Sequence, residues 1–179
     1  MKGVVFTEFL GFVESIHGLR MVDRLISSTK PESQGAYTSV GTYDAGELFA
    51  MVQELSKATN TSACELVKAF GSHLFRHFAK VHSATLRDVR TTEQLLASVE
   101  SRIHVDVRKL YPDAELPHLD FKQMDERRAE VLYRSSRPLA DLAEGLITTA
   151  VEHFGDPITV TREDLPPGDG THARFVLQR

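Results

Sequence analysis

A phenol, a hydroxyl and a guanidinium occur at alternate positions of the segment YRSSR, at Tyr133, Ser135 and Arg137. The residues before this segment favour a strand, and Pro138 after it suits the first turn of a helix. Because side chains alternate between the two faces of a strand, these three would project from the same face. All three can donate hydrogen bonds, and the arginine fork matches a carboxylate or a phosphate. The segment therefore predicts an anion-binding site, with an exposed strand end and an ordinary salt bridge as the alternative.

His104 is the second candidate, because it lies on a predicted helix whose other inward positions are aliphatic. A neutral imidazole there could ligate a metal, whereas a lone histidine at a helix border is more commonly bonded to backbone or water. Each candidate alone is a weak signal. Together, one axial imidazole and a clamp for carboxylates match haem, whose iron takes a proximal histidine and whose propionates are anionic.

Two further candidates indicate structure rather than chemistry. His73 and His77 are spaced to share one helix face and could hold zinc, but the segment lacks the glutamate of an HExxH site, so we expect a partly solvated helix face. Cys64 has no recognisable histidine partner, and we expect a buried thiol rather than a nucleophile. As the single cysteine, it excludes a disulfide or a multi-cysteine metal site within one chain.

Composition bounds the class of protein. The 179 residues suit one domain, and the net charge of −4 provides no basic surface for nucleic acid or a membrane. The N-terminal segment MKGVVFTEFLGFVESIHG is interrupted by Glu8 and Glu14, so it predicts an amphipathic helix rather than a signal peptide or membrane span. A single cysteine is compatible with a reducing, cytoplasmic location.

Three later helices are predicted from capping boxes, in which a cap residue precedes an acid or amide by three positions. Asp44 and Glu47, Ser62 and Glu65, and Thr91 and Gln94 are the three pairs. The helices that follow are expected at about 45–58, 63–80 and 92–110. The last should bury an aliphatic stripe and end before Pro112; the stripe comprises Leu95, Leu96, Val99, Ile103, Val107 and Leu110.

The second half of the chain predicts two hairpins with a helix between them. HLDFKQMD and RRAEVLYRSS form the first hairpin, PLADLAEGLITTAVEHFG forms the helix with Gly155 as its cap, and ITVTREDL and HARFVLQR form the second. We therefore predict one α+β domain over residues 1–179. A helical subdomain at about 1–60 would pack on a subdomain at about 61–179 that carries an antiparallel sheet of about four strands.

In this order the motifs resemble the H-NOX family, the haem-nitric oxide/oxygen-binding domains. The matching motifs are the opening MKG, the AFG of the second long helix, VRKLYPDAELP after His104, and YRSSR with the helix that follows. The resemblance implies a haem b buried between the two subdomains, with His104 as proximal iron ligand. It further implies a propionate clamp of Tyr133, Ser135 and Arg137, and contact between Pro117 and the porphyrin.

The resemblance also implies a gas sensor that is not an enzyme. Oxygen-binding members have a tyrosine on the helix after the clamp, but no tyrosine follows Tyr133 here, so selectivity for nitric oxide is expected, with CO possible. NO would weaken the Fe–His104 bond and free the helix that carries His104. An apolar distal side is expected from Val5, Phe9, Leu74, Leu142 and Leu146.

Since the chain shows no output segment, the expected partner is a separate histidine kinase or diguanylate cyclase. Two alternatives stay open. A haem-free module could use the same clamp for a carboxylate or acyl ligand. A haem enzyme would need a distal acid–base residue, which an apolar distal side does not provide.

Overall fold

Helices occupy the N-terminal part of the chain in the computed structural model, which describes residues 1–179 with the exception of the Thr85 side chain. Contacts divide the chain into two units, Met1–Phe70 and Gly71–Arg179. In the first unit α1 (Gly3–His17) contacts α2 (Leu19–Thr29), and α2 contacts α3 (Ala45–Thr59). Helix α1 confirms the predicted amphipathic helix, whereas α2 was not predicted.

The loop before α3 packs on α1 through aromatic rings and one close backbone approach. Phe6 stacks on Tyr37 with ring centroids 4.5 Å apart. The Gly3 amide donates to the Gly41 carbonyl at 2.8 Å. A Cβ on Gly3 would lie 1.9 Å from the Thr38 carbonyl oxygen, so only glycine fits there. This contact is a physical reason for glycine in the opening MKG.

Capping chemistry begins the predicted helices at their expected places. The Asp44 side chain accepts from the Gly46 amide at 3.0 Å, at the start of α3. Ser62 and Glu65 form the full reciprocal box, with the Glu65 amide donating to the Ser62 hydroxyl oxygen and the Ser62 amide donating to the Glu65 carboxylate. Helix α4 (Ala63–Val81) follows, which confirms the second prediction.

The third predicted helix is helical throughout but is not one regular α-helix. It comprises α6 (Thr92–Ser98), a π-helical turn (Val99–Ile103) and α7 (His104–Leu110), while the short α5 (Ser83–Leu86) precedes it. The extra residue in a π-turn rotates everything after it relative to α-helical spacing. The predicted stripe is therefore wrong at its end, where Leu110 is 69% exposed and Val107 is only partly buried. Val99 and Ile103, in the π-turn itself, are also only partly buried.

Four antiparallel strands follow, which confirms the predicted sheet. They are β1 (His118–Gln123), β2 (Arg128–Arg134), β3 (Thr159–Asp164) and β4 (His172–Gln178), in the order β1-β2-β4-β3. The two hairpins are joined by pairing of β2 with β4. The confirmed fold class is α+β.

Helix α8 (Ala140–Phe154) covers one face of the sheet and ends at Gly155, which takes the left-handed conformation expected of a cap, with φ +67°. The core beneath α8 combines alternate strand residues with small helix residues: Ala129, Val131, Tyr133, Ala140, Ala143, Ile147, Ala173, Phe175 and Leu177. Among the described residues, no helix is both long and apolar enough to cross a membrane.

Candidate functional site

His104 is the first residue of α7 and is buried, with 8% of its surface exposed. Its Nδ1 lies 2.9 Å from Oε1 of Glu100, one turn earlier in the chain. A carboxylate can only accept a hydrogen bond, so Nδ1 carries the proton and the lone pair remains on Nε2. Within the described part of the chain, the ring has no other hydrogen bond. The imidazole is thus held as a ligand would need to be, with one nitrogen anchored and the other available.

Burial favours the neutral form of His104. Burial lowers the pKa of the imidazole, and the opposing effect of the Glu100 carboxylate offsets this only in part. Burial alone would raise the pKa of Glu100, but the Leu119 amide and His104 outweigh it and lower the pKa. A metal ligand must be a neutral imidazole, and a carboxylate is one of the usual partners of its other nitrogen.

Glu100 also connects this helix to the sheet. Its Oε1 accepts from the Leu119 amide at 2.9 Å, close to the beginning of β1. Leu119 pairs with Tyr133 across the β1–β2 ladder. The structure therefore brings Glu100, the partner of His104, and Tyr133, the first residue of the YRSSR segment, to the same end of one hairpin.

Tyr133 lies under α8 rather than on an open face. It is 2% exposed and meets Phe175 edge to face, with ring centroids 6.5 Å apart. Burial raises the pKa of its phenol, against smaller lowering effects of Ser135 and Arg137. The phenol is therefore a neutral hydrogen-bonding group.

Ser135 and Arg137 are associated with Tyr133, but not through strand alternation. Strand β2 ends at Arg134, so the prediction that all three project from one strand face is wrong for the last two. They lie in a turn instead, where the Arg137 amide donates to the Ser135 hydroxyl oxygen at 3.1 Å. The turn folds the chain back on itself and so keeps the three polar groups near one another.

The Arg137 guanidinium is bound to Glu115. It donates to the Glu115 carbonyl at 3.3 Å and to the carboxylate of the same residue. The Glu115 side chain is mostly exposed, whereas that of Arg137 is mostly covered. Pro117, two residues further on, is half-buried directly before β1. The predicted anion-binding arginine thus already binds one carboxylate.

The residues predicted for a distal side belong to different parts of the fold. Leu74 on α4 is buried, and Leu142 and Leu146 on α8 are half-buried. In the first unit, Phe9 is buried against Phe70, with centroids 5.3 Å apart, and Val5 is half-buried.

Close packing of α4 on α8 depends on Gly71, the glycine of the AFG motif. A Cβ there would lie 2.3 Å from the Leu142 carbonyl oxygen and 3.2 Å from the Gly145 Cα. The contact places two of the predicted distal elements against each other. Glycine is required because any side chain would push the two backbones apart.

The predictions for the histidine pair and for Cys64 differ in how they agree with the structure. His73 and His77 are half-buried, as expected of a partly solvated helix face. No group of three or more potential metal-ligating side chains occurs among the described residues. Cys64 is exposed, so the predicted buried thiol is wrong. It lies in the first turn of α4, on the side away from the buried Leu66 and Phe70.

The donor set fits haem. One neutral imidazole offers Nε2 to iron, while a phenol, a hydroxyl and a guanidinium offer hydrogen bonds to carboxylates. Sequence reasoning missed Glu100 and Glu115. The helical spacing of Glu100 and His104 could have indicated the first, since residues four apart share a face. The pairing of Glu115 with Arg137 across 22 positions had no local signal.

The chain is similar to the family described as Haem-NO-binding, whose sequence model matches residues 2–162. Comparison with curated protein sequences gave no significant match.

Solved structures of H-NOX proteins are similar over almost the whole chain. The Fe(II) unliganded protein from K. algicida is 37% identical, with 99% of this chain and 96% of that chain covered and a TM-score of 0.92. The protein from S. oneidensis in the Fe(II)NO state is 28% identical, covering 99% and 98%, with a TM-score of 0.90. The protein from Shewanella woodyi in the Fe(II)CO state is 35% identical, covering 100% and 94%, with a TM-score of 0.85.

Proposed function

This chain belongs to the Haem-NO-binding family of haem-based gas sensors, and we propose that within this family it is a nitric oxide sensor. Members of the family are sensors and not enzymes. Haem, when bound, supplies the iron on which a diatomic gas can bind. We propose haem b as the form bound and the whole of residues 1–179 as one sensor domain.

The observation that carries the proposal is the anchored imidazole of His104. Its Nδ1 is held 2.9 Å from the Glu100 carboxylate, and burial favours its neutral form. These are the properties of a proximal ligand to iron. Tyr133, Ser135 and Arg137 would bind the propionates, and Pro117 would contact the porphyrin.

Signal generation would depend on the position of His104. This residue begins α7 directly after the π-helical turn, and π-turns are frequently found at functional sites. When NO binds, His104 would lose its bond to iron, and α7 would become able to shift. A ligand can switch a protein only through different affinities for two states, and the presence or absence of this bond distinguishes the two.

Selectivity for NO over oxygen follows from the apolar side chains of α8. A bound oxygen molecule is stabilised by a hydrogen-bond donor on the distal side. Leu142 and Leu146 offer none, and no tyrosine occurs after Tyr133. We expect NO and CO to bind and oxygen not to form a stable complex.

Output is proposed to pass to a separate histidine kinase or diguanylate cyclase, as the family resemblance implies. A pull-down followed by kinase and cyclase assays, each with and without NO, tests this part. Activity of a captured partner that does not respond to NO would contradict it.

An absorption spectrum of the haem-reconstituted, anaerobically reduced protein tests the main proposal. We expect histidine-ligated ferrous haem that is unchanged by air and forms a five-coordinate nitrosyl with NO. A stable oxygen complex would contradict the selectivity. Failure to bind haem at all would favour the haem-free carboxylate- or acyl-binding module, and peroxide turnover would favour an enzyme.

A further inference from the structure

We propose that Glu100 is the positioning residue of His104 and that its carboxylate determines how firmly His104 holds iron. This inference rests on the proposed function, since it assumes that His104 is the proximal ligand. It adds a residue that neither the sequence motifs nor the family resemblance indicated.

The geometry places one carboxylate oxygen between two elements. Oε1 of Glu100 is 2.9 Å from both His104 Nδ1 and the Leu119 amide nitrogen. The first contact holds the imidazole, and the second holds the carboxylate against the beginning of β1. The ring is therefore oriented relative to the sheet and not only relative to its own helix.

The other carboxylate oxygen lies near two basic side chains. Oε2 of Glu100 lies 3.5 Å from His118 Nδ1 and 4.0 Å from a guanidinium nitrogen of Arg108. Together with the Leu119 amide, these contacts hold the carboxylate on both of its oxygens. A charged acceptor forms a stronger hydrogen bond than a neutral amide oxygen does.

A carboxylate on Nδ1 makes the histidine a better electron donor through Nε2. Partners of this kind fix the tautomer and ring orientation and raise the basicity of the ligating nitrogen. With Glu100 in place, His104 would hold iron strongly and would be released by NO slowly. Weakening this hydrogen bond would make NO release His104, and with it the helix, more rapidly.

Substitution of Glu100 by Gln tests the inference, because it keeps the shape of the side chain and removes its charge. The measurements are resonance Raman detection of the iron–histidine stretch in the ferrous, haem-loaded protein and stopped-flow kinetics of the conversion from six- to five-coordinate nitrosyl. We expect the stretch to move to lower frequency and the conversion to be about 10-fold faster. Glu100→Ala, which also removes the Leu119 contact, should have a larger effect.

The matched control is Asp106→Asn in α7, the helix that begins at His104. Asp106 pairs with Lys109 at 2.9 Å, and its side chain is exposed. We expect this variant to keep the wild-type stretch and rate. If Glu100→Gln also keeps both, the inference is overturned while the proposed function stands. If the wild-type protein has no iron–histidine stretch, the proposed function itself fails.

Discussion

At the scale of single residues, two of the groups proposed to contact haem each have a carboxylate partner. Glu100 binds the ring of His104, and Glu115 binds the guanidinium of Arg137. The two carboxylates act differently. Glu100 is partly covered and also accepts from a backbone amide, whereas Glu115 is largely exposed. The contacts of Glu100 fix its position against His104. Glu115 is accessible enough that another carboxylate could replace it on Arg137.

Substitution of Arg137 by Ala should make haem dissociate faster. The guanidinium would donate charge-assisted hydrogen bonds to a propionate, and a bond to a charged group contributes about 1.5–3 kcal/mol. The loss corresponds to a rise in dissociation rate of roughly 10- to 100-fold. Transfer of haem to an excess of apomyoglobin measures this rate.

Arg134→Ala is the control for that experiment. Arg134 is exposed at the end of β2, three residues before Arg137, and has the same charge. A haem dissociation rate that is the same in the two variants would contradict a specific role for Arg137.

At the scale of elements, the first unit depends on a close contact between α1 and the loop that precedes α3. Tyr37 and Ser33 of this loop donate hydrogen bonds to the Glu47 carboxylate at 2.6 and 2.7 Å. Gly3 at the beginning of α1 approaches the backbone of the same loop. The loop is therefore held to a helix on each side by specific contacts and not only by apolar packing.

Gly3→Ala should destabilise the protein, although alanine is the better helix former. The added Cβ would collide with the Thr38 carbonyl oxygen, and displacing packed structure costs about 1–3 kcal/mol. Gly11→Ala on the same helix is the control. A Cβ there meets nothing within 4 Å, so we expect a gain of about 0.4–1 kcal/mol. Urea midpoints measure both, and equal midpoints would contradict the close contact.

Glu47→Gln should lower stability at neutral pH by about 1–3 kcal/mol, since hydrogen bonds to a charged acceptor are lost. Burial alone would raise the pKa of Glu47, but hydrogen bonds from Tyr37 and Ser33 lower it. The pKa of Tyr37 is raised to about 12, mainly by burial and next by its hydrogen bond to Glu47. Because folding lowers the pKa of this carboxyl group, the group stabilises the fold at any pH above its unfolded pKa, which is near 4.5. That stability is lost as the pH falls through the pKa of the folded state.

Urea unfolding between about pH 6 and pH 3 measures this effect, since a paired carboxylate protonates in that window. The wild-type protein should lose more stability than Glu47→Gln as the pH falls. Glu54→Gln on the same helix is the control, because its pairs with Arg24 and Lys57 lie at the surface and contribute little. Parallel pH profiles for wild type and Glu47→Gln would contradict the role of this carboxylate.

At the scale of the whole molecule, haem would add stability that the chain alone lacks. A ligand that binds only the folded state stabilises it by mass action. The residues proposed to contact haem come from α7, the segment before β1, strand β2 and the turn after it, so one ligand would link several elements. Loss of His104 should therefore affect the stability of the molecule as well as its spectrum.

We expect haem at about 100 times its dissociation constant to add about 2.7 kcal/mol, which raises Tm by roughly 5–10 °C. His104→Gly should reduce this gain, and added imidazole should restore it by taking the place of the side chain. Differential scanning calorimetry of apo and haem-loaded protein measures the shift. A full gain in His104→Gly without imidazole would contradict the assignment of His104.

The sequence by itself determined most of the elements and most of the candidate residues. Helix α4 and strands β1 and β2 were predictable because capping boxes and two-residue alternation act between residues close along the chain. His104 was predictable as a candidate because it interrupts an aliphatic pattern. The proposed propionate clamp was predictable only as three donors at a fixed spacing.

Only the tertiary structure decided what those residues contact. The π-turn before His104, the exposure of Leu110 and Cys64, and the bond between Arg137 and Glu115 had no local signal. The contact of Glu100 with the sheet exists only because packing brings its carboxylate to the Leu119 amide. Such contacts depend on how separate elements pack, and short-range patterns in a sequence carry information about each element but not about the fit between them.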